Sequence, residues 1–217
     1  MSRVNAAALQ RCRLYGIIDL GYVRAGDVAR VAIEMIAGGV DIIQLRGKGQ
    51  ELATLTAVGA KLHTVTRDGG VPLVINDHAE VSREIRAEGV HVGQDDLSVT
   101  EARKIAGAGC LVGKSTHSVE QATQAAAEGA DYIGFGPLFA TPTKPEYTPI
   151  GLDEIREVHQ RVTTPIFCIG GIKLHNLPQV IGAGARRIVI VSEMLQTPDI
   201  AKYARTAREQ LSPKLSA

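Results

Sequence analysis

Residues 38–48 read GGVDIIQLRGK, a glycine pair followed by a short apolar run and then by two cations. Glycine in this place is typical of a helix that ends and leads into a strand. The same arrangement precedes an apolar run at four further points: AEGV (87–90), GAGC (107–110), EGAD (128–131) and GAGA (182–185). This quasi-repetition favours a barrel of similar units over an open sheet with one switch point.

Eight short apolar or β-branched runs predict strands. They are Leu14–Asp19, Asp41–Arg46, Pro72–Asn76, Gly89–Gly93, Leu111–Ser115, Tyr132–Gly136, Pro165–Ile169 and Arg187–Val191. Segments with helical spacing follow them in turn: Ala25–Ala37, Glu51–Thr66, Ala79–Arg86, Thr100–Ala106, Val119–Glu128, Leu152–Arg161, Leu177–Ile181 and Leu195–Leu211. Strict alternation requires parallel strands with right-handed crossovers. We therefore predict an α/β protein, a single (β/α)8 TIM barrel; a doubly wound open sheet is the alternative.

The chain of 217 residues shows no linker or composition shift, which predicts one domain over 1–217 with 1–12 as a short N-terminal extension. Its 24 basic and 23 acidic residues leave a formal charge of +1, too little to neutralise nucleic acid or anionic lipid. Aromatic residues make up 4% and tryptophan is absent, so stacking platforms for single strands are scarce. We expect no nucleic-acid partner, no membrane partner and a small-molecule enzyme.

Three cysteines, Cys12, Cys110 and Cys168, form an odd and scattered set. The first dozen residues lack the apolar core and cleavage pattern of a secretory signal. These features predict a reduced, cytoplasmic protein. The sequence leaves the oligomeric state open, a homo-oligomer included.

Polar residues follow the predicted strands, where the catalytic groups of barrels lie. After the second strand, alternation brings Gln44, Arg46 and Lys48 to one side of the chain. A planar guanidinium and a compact ammonium suit a diphosphate. A pair of solvated surface cations is the alternative interpretation.

Carboxylates follow the third and fourth strands, in Asn76-Asp77 and in Gln94-Asp95-Asp96. Neighbouring strand ends converge on the barrel axis, and magnesium is commonly held by one or two carboxylates together with substrate phosphates and water. We therefore predict Asp77 and Asp96 as magnesium ligands opposite the two cations. Alternatively, these acids cap the helices that follow.

The loop after the sixth strand, residues 139–145, offers two hydroxyls and a cation and is too long for a minimal turn. A merely rigid loop is the alternative. Gly170-Gly171 after the seventh strand and Val191-Ser192 after the eighth lie where barrels commonly bind a phosphate through backbone N–H groups. We therefore expect two phosphorylated groups in one site. The role of His117 stays open among base, hydrogen-bond donor and helix-entry residue.

Together and in this order, these motifs resemble the thiamine phosphate synthase family, whose barrel joins a pyrimidine diphosphate to a thiazole phosphate. The resemblance spans nearly the whole chain. Its motifs here are YGIID (15–19), GGVDIIQLRGK (38–48), VIND (74–77), GVHVGQDD (89–96), GKSTH (113–117), GADYIGFGPLFATPTK (129–144), IGGI (169–172) and IVIVS (188–192).

The resemblance implies ligands residue by residue. For the pyrimidine diphosphate they are Gln44, Arg46, Lys48, Asn76, Ser115 and Lys144; for magnesium, Asp77 and Asp96; for the thiazole phosphate, Thr141, Thr143, Gly171, Val191 and Ser192. The catalytic roles fall to Arg46, Lys48, Ser115 and Lys144. The implied reaction is dissociative: diphosphate leaves first, and the thiazole nitrogen captures the pyrimidine methylene cation.

Two departures from the family pattern concern Gly47, where an acid is common, and Lys114, where a small or apolar residue is common. Neither removes an expected ligand. Two alternatives remain: a thiazole tautomerase of the same family, with His117 as its acid–base residue, and a non-catalytic thiazole-phosphate-binding regulator.

Overall fold

A computed structural model describes residues 6–141 and 148–212. Eight parallel strands close into a barrel in sequence order, which confirms the predicted TIM-barrel fold. The strands are β1 (Leu14–Asp19), β2 (Ile42–Arg46), β3 (Leu73–Asn76), β4 (Gly89–Val92), β5 (Leu111–Thr116), β6 (Tyr132–Phe135), β7 (Ile166–Cys168) and β8 (Ile188–Ile190). Each lies within one residue or two of its predicted bounds.

Helices surround the strands and agree with the helical spacing except near the carboxyl terminus. They are α1 (Ala6–Leu9), α2 (Val28–Ala37), α3 (Leu52–Asp68), α4 (Ala79–Ile85), α5 (Val99–Ala106), α6 (Val119–Ala127), α7 (Ile155–Arg161), α8 (Leu177–Gly182), α9 (Ser192–Gln196) and α10 (Ile200–Leu211). The single helix predicted over Leu195–Leu211 is wrong, because α9 ends before an extended Thr197 (ψ 148°). Thr197 precedes Pro198, and the proline ring disfavours helical backbone in the residue before it.

Alternation along the strands separates two apolar layers. On β1, Leu14 and Ile18 pack outward against the helices, whereas Tyr15 and Ile17 point into the barrel. The inner layer also contains Leu9 from α1, which is 1% exposed. Part of the predicted N-terminal extension therefore closes the amino end of the barrel, and the carboxyl ends of the strands face solvent. No helix in the described part of the chain is long and apolar enough to cross a bilayer.

Candidate active site

An open cavity lies at the carboxyl ends of the strands. Most of the sequence-predicted ligands line it, although they come from strands far apart in the chain. These residues are Gln44, Arg46, Asn76, Ser115, Thr141, Gly171, Val191 and Ser192. The barrel thus brings together both sets of expected ligands in one cavity.

Five other predicted residues are placed differently or not described. Lys48 is exposed beyond the end of β2 and does not line the cavity. Asp77 is half-buried and Asp96 exposed, and both also lie outside the cavity lining. Thr143 and Lys144 lie outside the described residues.

Arg46 forms a buried ion pair that the sequence analysis missed. Asp19 ends β1 beside Arg46 in the strand register, and its Oδ2 lies 2.5 Å from Arg46 Nη1. Asp19 is 3% and Arg46 9% exposed, and Asp19 Oδ1 also accepts a bond from the Gly21 N–H at 2.8 Å. Only one terminal nitrogen of Arg46 takes part in this ion pair. The carboxylate therefore orients the guanidinium group, and the Arg46 side chain still faces the cavity.

A chain of hydrogen bonds crosses the cavity floor. Gln44 Nε2 donates to the Tyr15 hydroxyl at 2.8 Å, and the hydroxyls of Tyr15 and Tyr132 lie 3.0 Å apart. Tyr132 in turn contacts His91 Nδ1 at 3.2 Å, and His91 Nε2 lies 2.9 Å from Ser115 Oγ. The chain fixes the orientation of Gln44 and Ser115, two of the predicted ligands.

The floor itself is aromatic and uncharged. Phe167 contacts the rings of Tyr15 and Tyr132 edge to face, with centroids 5.5 and 5.7 Å away. Burial raises the pKa of both tyrosines above their usual range, so their hydroxyls stay neutral. A flat, neutral heteroaromatic ring would fit against such a surface.

Tyr15, His91 and Tyr132 were not predicted as site residues, although the sequence contained a signal for them. Each side chain points to the same face of the sheet as a cavity residue on its own strand or on a neighbouring strand. Tyr15, for example, points to the same face as Ile17. These three residues lie within strands and point inward. The sequence prediction considered only the residues that follow each apolar run, so it did not include them.

The opposite wall is built from glycine backbone. Gly170 and Gly171 have φ values of +98° and +63°, a region that L side chains rarely adopt. A Cβ on Gly171 would lie 2.7 Å from Phe139 Cβ and 2.8 Å from the Ala140 carbonyl oxygen. The loops after β6 and β7 therefore pack together only because residue 171 lacks a side chain.

The helix-capping alternative for the carboxylates is wrong. The N-cap of α5 is Ser98, which forms a capping box with Glu101, so neither Asp95 nor Asp96 has that role. The N-cap of α4 is His78, and no side chain caps this helix. Asp77 instead adopts φ +63°, and its N–H donates to the His91 carbonyl at 2.8 Å, which joins the ends of β3 and β4.

The carboxylates after β3 and β4 form an incomplete donor set for magnesium. Among residues 6–141 and 148–212, no group of three or more His, Cys, Asp or Glu side chains could hold a metal ion. Asp77 and Asp96 follow adjacent strands, and one oxygen of Asp96 accepts a bond from the Gly93 N–H at 2.7 Å. Two carboxylates without a full protein cage fit an ion that binds together with a substrate diphosphate and water.

His117 lines the cavity with its ring held in place. Its Nδ1 bonds the Gly136 carbonyl oxygen, and its backbone N–H donates to Gln121 Oε1 at 2.7 Å. A carbonyl oxygen can only accept, so Nδ1 bears the ring proton in this arrangement. His117 is therefore a fixed part of the cavity wall.

Comparison with known proteins gives consistent results for sequence and structure. Residues 14–194 match the family model described as thiamine monophosphate synthase. The chain is similar to the thiamine-phosphate synthase of Shouchella clausii, with 43% identity covering 87% of this chain and 90% of that protein. It is also similar to the thiamine-phosphate synthase of Chloroflexus aurantiacus, with 41% identity covering 92% of this chain and 93% of that protein.

A solved structure of thiamine phosphate pyrophosphorylase from Pyrococcus furiosus has the same fold, with a TM-score of 0.83 and 28% identity. The match covers 94% of this chain and 96% of that one. The family model and the two relatives extend over most of the chain, and on this ground the protein belongs to the thiamine monophosphate synthase family.

Proposed function

We propose that the chain joins a hydroxymethylpyrimidine diphosphate to a thiazole phosphate, giving thiamine phosphate and diphosphate. The chain is an enzyme of the transferase class, as its curated relatives are. The observation that supports the specific reaction most strongly is one cavity lined both by Arg46, Asn76 and Ser115 and by Gly171 and Ser192. Two phosphorylated substrates can therefore bind with their reacting ends facing each other.

Positive charge would stabilise the departing diphosphate. Arg46, already oriented by Asp19, lines the cavity wall, and Lys48 and Lys144 would add further positive charge. Asp77 and Asp96 would hold magnesium, which supplies further positive charge to the leaving group when bound. Groups fixed before the bond breaks need no reorganisation as charge develops, and such electrostatic stabilisation often accounts for most of an enzyme's rate enhancement.

The pyrimidine would bind on the aromatic floor. Gln44 and Ser115 are fixed by the hydrogen-bonded chain and present polar atoms to the ring, and Asn76 lines the same wall. The neutral tyrosines and Phe167 provide an apolar surface that would exclude water once the pyrimidine is bound. A methylene cation formed by departure of diphosphate would be protected there from hydrolysis.

The thiazole phosphate would bind on the glycine wall. Gly171, Val191 and Ser192 offer backbone N–H groups, and Thr141 with Thr143 would add hydroxyls. Held there, the thiazole nitrogen faces the cation, so the second step depends on proximity and not on a base.

We place this activity in a reducing compartment, the cytoplasm. The cysteines support it, because Cys12, Cys110 and Cys168 are all free and buried. Burial also raises the pKa of the Cys168 thiol to about 12, which keeps it protonated and unreactive. Association of copies of the chain into a homo-oligomer remains part of this proposal and is tested by its mass in solution.

A thiazole tautomerase is the second candidate, and the placement of His117 in the cavity wall favours it. The carboxylates after β3 and β4, which cap neither following helix, favour coupling instead. In a tautomerase His117 would move the proton, and magnesium and the cations would have no comparable task.

One assay tests both candidates. Purified protein is mixed with the pyrimidine diphosphate, the thiazole phosphate and magnesium, and thiamine phosphate and released diphosphate are quantified. Formation of both products in equal amounts supports coupling. Isomerisation of the thiazole phosphate alone, without coupling, would assign the tautomerase, and binding without turnover of either kind would assign a regulator.

A further inference from the structure

Lys114 is a buried cation in a place where it cannot touch a substrate. It lies on β5 between Gly113 and Ser115 and is 8% exposed. Ser115 lines the cavity, so alternation directs Lys114 to the outer surface of the barrel. Burial of an ammonium group is costly unless hydrogen bonds compensate it, so its contacts indicate its purpose.

Both of its hydrogen bonds go to one loop, the β4–α5 loop (residues 93–98). Lys114 Nζ donates to the Gly93 carbonyl at 2.6 Å and to the Leu97 carbonyl at 3.3 Å. These two carbonyls lie on either side of Asp96, so the ammonium joins the two ends of the segment that contains it. Glu120 and Glu128 line the same outer groove.

The rest of the loop is tied to the same strand and to itself. Gln94 Nε2 donates to the Ser115 carbonyl, and the Gly93 N–H donates to Asp96 Oδ2. Gly93 is thus bonded through its carbonyl to Lys114 and through its N–H to Asp96. A shift of the ammonium would move Gly93 and, with it, the Asp96 carboxylate.

We propose that Lys114 is a positioning residue that sets the place of Asp96 at the mouth and thereby the affinity for magnesium diphosphate. This inference rests on the proposed function, in which Asp96 holds the metal with the leaving diphosphate. A small or apolar side chain at position 114 could not donate a hydrogen bond to either carbonyl, so both contacts depend on the lysine.

The experiment compares Lys114→Met, similar in length but without donors, with the parent. Calorimetry with inorganic diphosphate at several magnesium concentrations gives the Kd of the magnesium complex, and a separate titration gives the Kd of thiazole phosphate. We expect the first Kd to rise about tenfold or more, as for other groups that orient metal ligands. The second Kd should change less than about twofold, because residues 171, 191 and 192 follow β7 and β8, which do not neighbour β4 in the barrel.

Three comparisons guard against a general effect on folding. Lys104→Met, on the exposed surface of α5, should bind both ligands like the parent. Lys114→Arg retains donors and should recover most of the affinity lost in Lys114→Met. Hydrogen exchange of the amides of residues 93–98 should accelerate in Lys114→Met and slow again in Lys114→Arg.

A double-mutant cycle with Asp96→Asn separates positioning from simple stabilisation. If Lys114 acts through Asp96, Lys114→Met should add little to the loss already caused by Asp96→Asn. Additive losses, equal weakening of both ligands, or unchanged binding of magnesium diphosphate would overturn the inference while the proposed function stands. Failure of the parent itself to bind magnesium diphosphate would overturn the proposed function and the inference together.

Discussion

The two halves of the mouth differ in how they would hold phosphate. The charged half, at the ends of β2 to β4, contains the charged side chains of Arg46, Lys48, Asp77 and Asp96. The glycine half, at the ends of β7 and β8, offers backbone of fixed geometry at residues 170–171 and 191–192. A leaving group that gains charge is stabilised by charged side chains already in place, whereas a substrate that keeps its phosphate can be bound by backbone N–H groups alone. The difference predicts that mutations in the two halves affect different substrates.

The largest effect is expected in the charged half. Asp96→Ala should lower magnesium-dependent kcat by about 100-fold or more, because it removes a group that stabilises developing charge. Asp96 is exposed, so the midpoint of thermal unfolding should barely move. Steady-state rates at several magnesium concentrations measure the effect.

Asp95→Ala is the matched control and should retain nearly full activity. Equal losses at positions 95 and 96, or full activity of the parent in a chelator, would contradict the assignment of the carboxylates.

The second effect belongs to the glycine half. Gly171→Ala forces a Cβ into positive φ and to within 2.7 Å of Phe139, and strain of this kind costs about 1–3 kcal/mol. We expect the Kd of thiazole phosphate to rise about 30-fold if about 2 kcal/mol of strain is relieved by displacing the loop. Calorimetry with thiazole phosphate alone measures it.

Gly182→Ala provides the comparison, since nothing lies within 4 Å of a Cβ there. It should bind thiazole phosphate normally. If both alanine variants weaken thiazole phosphate equally, the packing of residue 171 has no bearing on that site.

The third prediction tests whether the halves act independently. Lys48→Ala removes one exposed cation and should raise the Kd of the pyrimidine diphosphate about tenfold, the lower end of the range for a hydrogen bond to a charged group. The Kd of thiazole phosphate should not change. Separate titrations of the two ligands measure both Kd values. A greater loss of affinity for thiazole phosphate than for the pyrimidine diphosphate would reverse the assignment of the two phosphate sites.

The smallest effect is expected between the halves, at His117. Departure of diphosphate needs no base, so His117→Gln should lower coupling tenfold or less, whereas loss of a general base costs about 10²–10⁴-fold. Lys144→Ala should be the more damaging change, since a cation would stabilise the leaving group. Coupling rates of both variants test this order, and its reversal, together with isomerisation of the thiazole phosphate, would favour the tautomerase.

Local sequence was sufficient for the strands and for much of the cavity. Short apolar runs define β1 to β8, glycine turns precede most of them, and the residues after the runs include Thr141, Gly171 and Ser192. The break between α9 and α10 was also visible, in Pro198, but helical spacing on both sides obscured it.

Contacts across the barrel could not be predicted from local sequence. Tyr15 and Tyr132 are separated by 117 residues and meet only when the barrel closes. The same is true of His91 and Ser115, which neighbouring strands bring together. The ion pair of Asp19 with Arg46 needed the register of β1 on β2, which no spacing in the chain specifies.

Closure of the amino end by Leu9 and its neighbours has a kinetic consequence. Both substrates and both products must pass through the same mouth. The aromatic floor, on which the pyrimidine would lie, is farther from this mouth than the glycine wall is. A thiazole phosphate seated on the glycine wall would then stand between the floor and solvent. On the proposed function, a barrel with one opening predicts an order of addition, pyrimidine diphosphate first and thiazole phosphate second.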